Sequence, residues 1–482
     1  MNAPASTRPR LNVLTEQERR DLHAASLHIL ETTGCHVPVP EVRRLLTEAG
    51  ARAEAEQVRL PPDLVESCLA KVRPITLYDR LGRAAVPLAD GRVTFGALAD
   101  TFYLLDLHAG RARPFEIADQ GPIARLLDSL PGIEWIQCVG QAHDVPEGIQ
   151  TQQAVLETVR QSSKPILAYP YGRQGVEDLV ALSSIVSGSE AARRERPWLF
   201  IASVPAAPLK ASRYNLEILF ACADHGVPVL YYDCPAIGGN APCSLGGTLA
   251  MANADWLFGL TVHQLRAPGA PFVSAGFTLQ LMDMRTTQWA YCAPESQRAY
   301  AAVADLAHGY GLPAFGIEMI ADTPRMDAQA GMEMAANCLW ACLSGTELVH
   351  NTGMIGAGKL VCPEAFVLAD EIIGATRAAL RPIDLSPEVF SEIGALLAAE
   401  PPGAEFVSHA HTLEHFRDFW YPSVFERANF DPLAEAQDAR LHDRLTARAA
   451  QLTSEHRPAP LSTEVEAGLA ELERAWGRRA AA

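Results

Sequence analysis

No two cysteines in this chain are spaced Cys-x-x-Cys, although ten occur in 482 residues. They are scattered from Cys35 to Cys362. That pattern argues for free thiols in a reducing compartment and against a disulfide frame. Positive charge is also short: 40 lysines and arginines stand against 57 aspartates and glutamates, a formal net charge of −17. Such a balance argues against a nucleic-acid or anionic-membrane partner. The opening residues, Met-Asn-Ala-Pro-Ala-Ser-Thr-Arg, lack the apolar stretch of a signal peptide. No run is long and apolar enough to span a bilayer, so a cytoplasmic location is expected. Neither Gly-x-Gly-x-x-Gly after a strand nor Gly-x-Ser-x-Gly is present. Dinucleotide binding and a serine nucleophile elbow therefore have no motif behind them.

What is present suits a folded enzyme. Hydrophobic residues make up 48% and charged ones 20%, enough for a sizeable core. After a loose tail at residues 1–11, Thr15 and Glu18 form a capping box ahead of Leu22, Ala25, Ile29 and Leu30, an amphipathic helix. Further helices open at Pro40 and at Pro61-Pro62, and short extended pieces follow at Ile75–Tyr78 and Val93–Phe95. Residues 12–115 are expected to form an N-terminal helical cap with a small sheet.

Beyond that point apolar runs of strand length alternate with helical patterns. The runs are Trp135–Ala142, Pro165–Tyr169, Trp198–Val204, Val229–Asp233, Phe272–Phe277, Ala314–Met319, Glu347–Asn351 and Ala404–Ser408. Pro165, Pro197, Pro228 and Pro271 introduce four of them, and proline suits a strand's first residue. The runs lack polar alternation, as strands buried on both faces should. Eight strand–helix units predict an α/β fold, a (β/α)8 TIM barrel over 116–421, with C-terminal helices over 422–482 packed on it. An open doubly wound sheet is the alternative.

In such a barrel the site lies at the carboxyl ends of the strands. Those ends carry Gln141 and His143; Tyr169 and Tyr171; Ser203; Tyr231, Tyr232, Asp233 and Cys234; Glu318, Asp322, Arg325 and Asp327; His350 and Asn351; and His409, His411 and Thr412. Aromatic rings beside carboxylates suit a cationic methylated amine, and equally a sugar or a metal. Gly353 and Gly358-Lys359 match a phosphate-loop spacing, but Leu360 stands where the magnesium-binding hydroxyl belongs. His409, His411 and His415 lack a Glu-x-x-His pattern or a cysteine partner, so no metal is expected.

Several motifs fall in a familiar order. They are Ile29-Leu30-Glu-x-x-Gly34, Ala49-Gly50-Ala51, Arg59-Leu-Pro-Pro62, and Ala241-Pro242 with Gly246-Gly247-Thr248. Next come Asn253-Ala-Asp255, Met282-Asp283-Met284-Arg285, Pro294-Glu295, Asp327-Ala-Gln329-Ala-Gly331-x-Glu333 and His411-Thr412. From Leu14 to Asp431 the chain resembles the trimethylamine methyltransferase family, the large corrinoid-dependent amine methyltransferases. The resemblance implies a (β/α)8 barrel. It also implies methyl transfer from a methylated amine to the cob(I)alamin of a separate corrinoid protein. The cobalamin is carried by that partner and none is bound tightly here. A homo-oligomer is a further expectation.

The founding trimethylamine enzymes of this family carry pyrrolysine in the barrel, whereas this chain has only standard residues. The loop Asp322–Asp327 is the expected equivalent region. A tertiary amine must be made a better leaving group first; a quaternary ammonium leaves as a neutral amine without help. The expected substrate is therefore glycine betaine or a related betaine. Under this reading His350, Glu318 and Asp233 are the catalytic candidates. Phe102, Tyr103, Tyr231 and Tyr232 offer ring faces, and Arg325 or His350 receives the substrate carboxylate. Asn351 stands beside His350 in the binding set, where the two would also approach the corrinoid. The alternatives are a barrel lyase or hydrolase acting on a small carboxylate, and a non-catalytic betaine-binding homologue.

Overall fold

Eight parallel strands close into a ring. In chain order they are β1 (Thr94–Ala97), β2 (Trp135–Cys138), β3 (Ile166–Ala168), β4 (Leu199–Ser203), β5 (Val229–Tyr231), β6 (Ala275–Gly276), β7 (Ala314–Glu318) and β8 (Leu348–Thr352). Hydrogen-bonded neighbours run β5, β4, β3, β2, β1, β8, β7, β6. A parallel bridge from Val229 to Phe272, just ahead of β6, joins the two ends. The computed structural model describes residues 9–98, 102–107, 110–138, 141–205, 208–429 and 440–481. A helix follows each strand: Ile117–Ser129, Gln150–Gln161, Gly172–Val186, Arg213–His225, Leu245–Arg266, Pro294–Gly309, Ala328–Ser344 and Pro363–Ala379. This is the (β/α)8 barrel that the alternation predicted.

Every expected strand from the one opening at Trp135 to the one ending at Asn351 contributes to the ring. The expected strand Ala404–Ser408 does not: its backbone is loop and turn, and Val407 is 79% exposed. Its place is taken by β1, from the segment expected to be a separate cap. Gly96 interrupts the pattern of β1 because the interior has no room for a side chain there; a Cβ would run into the Trp135 indole. The barrel thus begins at Thr94 and its last helix ends at Ala379.

Trp135, Leu167, Phe200, Leu230, Val273, Phe315 and Leu348 fill the interior. A hairpin, Thr76–Tyr78 with Ala84–Pro87, adds Leu77 and Val86 to that cluster. Its backbone bonds to Pro197 and Ser163, just ahead of β4 and β3, so it plugs the amino-terminal end. The carboxyl end is left for chemistry.

The helix Leu245–Arg266 is buried without a break from Thr248 to Gln264 because it is covered on every side. The barrel wall lies on one face and the helices Glu16–Thr32, Pro40–Glu48 and Pro62–Leu69 on the other. The predicted capping box starts the first of these: the Glu18 N–H donates to Thr15 Oγ1 at 3.2 Å and the Thr15 N–H to Glu18 Oε2 at 2.7 Å. Residues 1–8 of the expected tail lie outside the described residues; Leu11 already donates to the Leu343 carbonyl. At the other end, the helix Leu441–Glu455 packs on Pro363–Ala379 and Ile117–Ser129, and Thr463–Ala480 packs on Gly172–Val186, burying Leu469 and Trp476.

Candidate active site

Strand alternation stacks two layers in the barrel. Trp135, Leu167, Leu230 and Leu348 make an apolar layer. Two residues further along the same strands come Gln137, Tyr169, Tyr232 and His350, at the carboxyl end. These polar side chains are knitted together. The Gln137 amide donates to the Tyr169 hydroxyl and to Asn351 Oδ1, each at 3.1 Å. The Asn351 N–H returns a bond to Gln137 Oε1 at 2.8 Å, and the hydroxyls of Tyr169 and Tyr232 lie 3.1 Å apart.

Glu318 enters this layer through an irregularity. On β7 and β8, Phe315 pairs with Leu348 and Glu318 with His350, so β7 spends one residue more than its partner. The extra residue shifts the phase and brings Glu318 opposite His350. Gly316 sits in the shifted stretch at φ 149, where a Cβ would lie 2.5 Å from the Phe277 carbonyl oxygen. Asn351 marks a similar shift against β1, with φ 54.

His350 Nε2 and Glu318 Oε1 are 3.2 Å apart, with both side chains nearly solvent-free. The contact is not aligned as a hydrogen bond. Glu318 Oε2 and His350 Nδ1 also have no hydrogen-bond partner among the described residues. Buried polar atoms without partners are costly, and in a native fold they mark a place prepared for something else. The surroundings are aromatic: Phe315 lies 4.4 Å from the His350 ring and 4.6 Å from Tyr232, and Tyr232 lies 6.0 Å from His350. The arrangement presents one carboxylate and one imidazole above ring faces, inside a closed barrel. Beside it, at the ends of β3 and β4, a cavity of about 390 Å³ shares Tyr169 and Ala202 with the interior.

Glu318, His350, Tyr232 and Asn351 are thus brought together. Tyr231 and Asp233 are not, because they are one residue out of phase with Tyr232 and face the helix Leu245–Arg266. The Tyr231 ring fills the space over Gly259, and its hydroxyl reaches Asp255 Oδ1 at 3.5 Å. Asp233 lies against Asp255 in the wall, fully buried, and accepts the Cys234 N–H at 2.7 Å. Burial, and then the neighbouring Asp255, push the Asp233 carboxyl well above the usual carboxylate range. Burial lifts Asp255 to about 6. Asp233 is a wall residue, set apart from Glu318 and His350 in the interior.

Phe102 and Tyr103 are partly exposed on the rim. Tyr103 opens a strand paired with Arg111–Pro114 and Leu360–Val361, and its ring lies 6.2 Å from His143. Arg325 stands on an exposed loop, its N–H bonded to Thr323 Oγ1 at 3.2 Å. Gln137 was missed because it lies within its strand rather than at the end. Its signal was phase, two residues beyond Trp135.

Behind Glu318, Cys292, Asp322 and Glu333 bring their ligand atoms within 4.8 Å of one another. Their carboxylates clamp loops. Asp322 accepts the Tyr291 and Cys292 N–H groups, each at 3.0 Å, and Glu333 accepts the Asp322 N–H at 2.9 Å. Asn337 bonds the Glu318 carbonyl at 3.0 Å. Burial raises Asp322 to about 6. The clamp holds the chain from Glu318 onward. The other three-residue group, Glu392, His411 and His415, lies on the outer surface.

A closed barrel with a buried acid–histidine pair at its carboxyl end defines a barrel enzyme. The chain belongs to the trimethylamine methyltransferase family, whose model matches residues 1–477. It is 27% identical over 472 residues to the glycine betaine methyltransferase of Desulfitobacterium hafniense (strain Y51), covering 96% of each. It is 28% identical over 392 residues to trimethylamine methyltransferase MttB1 of Methanosarcina mazei, covering 79% of this chain and 78% of that one. The solved monomethylamine methyltransferase of Methanosarcina barkeri is 11% identical at a TM-score of 0.48, covering 92% of this chain and 93% of that one. The chain is a methyltransferase. Among the described residues no helix is long and apolar enough to cross a membrane.

Proposed function

We propose that this methyltransferase takes a methyl group from a quaternary amine, glycine betaine or a related betaine, and delivers it to the cob(I)alamin of a separate corrinoid protein. The observation that carries this reading is Glu318. Its carboxylate is buried 3.2 Å from His350, whose ring packs against Phe315 and near Tyr232, and its Oε2 is unbonded among the described residues. A quaternary ammonium has no N–H to donate; it is held by negative field and ring faces, which is what this corner supplies. Two further facts agree. The chain has only standard residues, and it aligns over its length with a glycine betaine methyltransferase.

Glu318 holds the ammonium against the Tyr232 ring. His350 Nδ1, as an N–H donor, takes the substrate carboxylate. Gln137, Tyr169 and Asn351 fix the wall opposite, so the departing methyl is aimed out of the barrel mouth. The corrinoid supplies the nucleophile: its electron pair forms the bond to the methyl carbon while the C–N pair stays on nitrogen, which leaves as a neutral amine. No general acid is required. The chain's task is positioning and exclusion of water. Phe102, Tyr103 and Arg325 belong to the rim in this reading. They are placed to meet the incoming partner and not the ammonium. A cytoplasmic location fits a reaction that needs a strongly reduced cobalt.

The deciding assay is methylcobalamin formation from cob(I)alamin with a panel of betaines and with trimethylamine. Turnover of a betaine and none of trimethylamine is expected. Failure with every quaternary amine would overturn the proposal.

A further inference from the structure

Two buried polar atoms near the end of β7 have no hydrogen-bond partner among the described residues: Glu318 Oε2, an acceptor, and the Tyr300 hydroxyl, a donor. Tyr300 stands on the helix Pro294–Gly309, which packs on β7, and is 1% exposed. A buried hydroxyl with nothing to bond is a cost that phenylalanine would avoid.

Contacts along the helix fix where Tyr300 stands. Ser296, four residues earlier, accepts the Leu281 N–H at 3.0 Å, beyond the end of β6. Gln297 Nε2 donates to Asn337 Oδ1 at 3.1 Å, and Asn337 Nδ2 donates to the Glu318 carbonyl at 3.0 Å. Val303, three residues after Tyr300, reaches Gly316, where a Cβ would lie 3.4 Å from Val303 Cγ1. Ser296, Tyr300 and Val303 share one face of the helix. Tyr300 therefore meets β7 past Gly316, at the level of Glu318.

The wall changes partners at that level. β6 pairs with β7 at Ala275–Ala314 and Gly276–Phe315, and the ladder stops short of Glu318. The chain after β6 turns to the end of β5 instead: the Thr278 N–H donates to the Asp233 carbonyl at 3.0 Å and the Gln280 N–H to the Pro235 carbonyl at 3.4 Å. Burial, and after it the charge of Glu318, hold the Tyr300 hydroxyl well above the ordinary tyrosine range, so it keeps its proton.

We propose that the Tyr300 hydroxyl, reaching past the end of the β6–β7 ladder from the helix layer, is the donor to Glu318 Oε2 and sets the plane of that carboxylate. This rests on the reading of Glu318 as the group that holds the ammonium. Oε1 lies by His350 and Oε2 is held by Tyr300, so both oxygens are fixed before substrate arrives. The ammonium still feels the charge, because it has no N–H and takes no lone pair. Tyr300 touches no substrate; it is a positioning residue.

Thermal melts without substrate test this, with Tyr300→Phe made in the wild type and in a Glu318→Met background. Phenylalanine keeps the ring, and methionine removes the acceptor. Tyr300→Phe should lower Tm in the wild type and leave it unchanged or raise it beside Glu318→Met. A Tm that holds or rises in the wild type, as for a hydroxyl with no partner, overturns the proposal. So does an equal loss in both backgrounds, or failure to fold in both, since each is the mark of packing alone. With a betaine that is turned over, Tyr300→Phe should also cut kcat/KM roughly 10-fold, the worth of a hydrogen bond to a charged group. Unchanged kcat/KM overturns the positioning role. A panel in which no betaine is turned over would overturn the proposed reaction and leave the melts to decide on Tyr300.

Discussion

Glu318 and Asp233 are both buried carboxylates near strand ends, yet their surroundings divide them. Glu318 faces rings and an imidazole across the barrel interior; Asp233 faces Asp255 inside the wall. Replacing Glu318 with Gln keeps the shape and removes the charge. Methyl-transfer kcat/KM for a betaine should fall roughly 10- to 100-fold, the worth of a charged contact, while Tm holds or rises. Steady-state kinetics beside a thermal melt checks this; unchanged kinetics would take Glu318 out of the site. The wall pair makes a prediction about pH. Asp255 titrates near 6 in the fold, above its ordinary 3.8. The folded chain therefore holds a proton that the unfolded chain gives up. The stability this contributes is present below pH 4 and is lost as pH rises through about 6. Asp255→Asn should thus raise Tm relative to wild type at pH 8, with the gain shrinking toward pH 4. A Tm difference that stays constant across that range would refute it.

At the scale of the element, the phase shift in β7 is the decisive feature. A regular strand from Phe315 would turn Glu318 out of the interior. The extra residue at Gly316 turns it in. Gly316→Val adds bulk where a Cβ already meets the Phe277 carbonyl. It should destabilise the fold by about 1–3 kcal/mol and reduce turnover with it, because the strain falls on the strand that aims Glu318. Gly96→Ala is a control of matched type: it collides with Trp135 in the apolar layer, so stability should fall by a similar amount. Melts and kinetics on the pair separate the two. Loss of activity out of proportion to stability is expected only at Gly316.

The whole molecule is a barrel held from several sides. The hairpin plugs one end, N-terminal helices sandwich Leu245–Arg266, and the last helices strap the outside. Trp476 is the buried anchor of the final strap, at 1% exposure. Trp476→Ala should cost about 3–5 kcal/mol and lower Tm, while kcat/KM of the folded fraction stays at the wild-type value. A large loss of kcat/KM at a temperature where the variant is folded would show that the strap reaches the site.

Much of this was legible in the residues themselves. Alternation of strand-length runs with helical patterns is a local signal, so the barrel class, most of its strands and the Thr15–Glu18 cap follow from sequence alone. So does the pointing of Glu318 and His350 to one end of the sheet, since each follows an apolar run directly. Family motifs spread along the chain carried the methyltransferase assignment. What the sequence by itself did not decide is phase and closure. Thr94–Ala97 is a barrel strand only because β2 and β8 flank it, and Ala404–Ser408 pairs with no strand among the described residues, bonding only within its own turn. Tyr231 and Tyr232 are identical in type and adjacent in chain. Only the tertiary structure separates the one that packs on a helix from the one that lines the interior, because a side chain's face depends on strand register and register is set by partners distant in sequence.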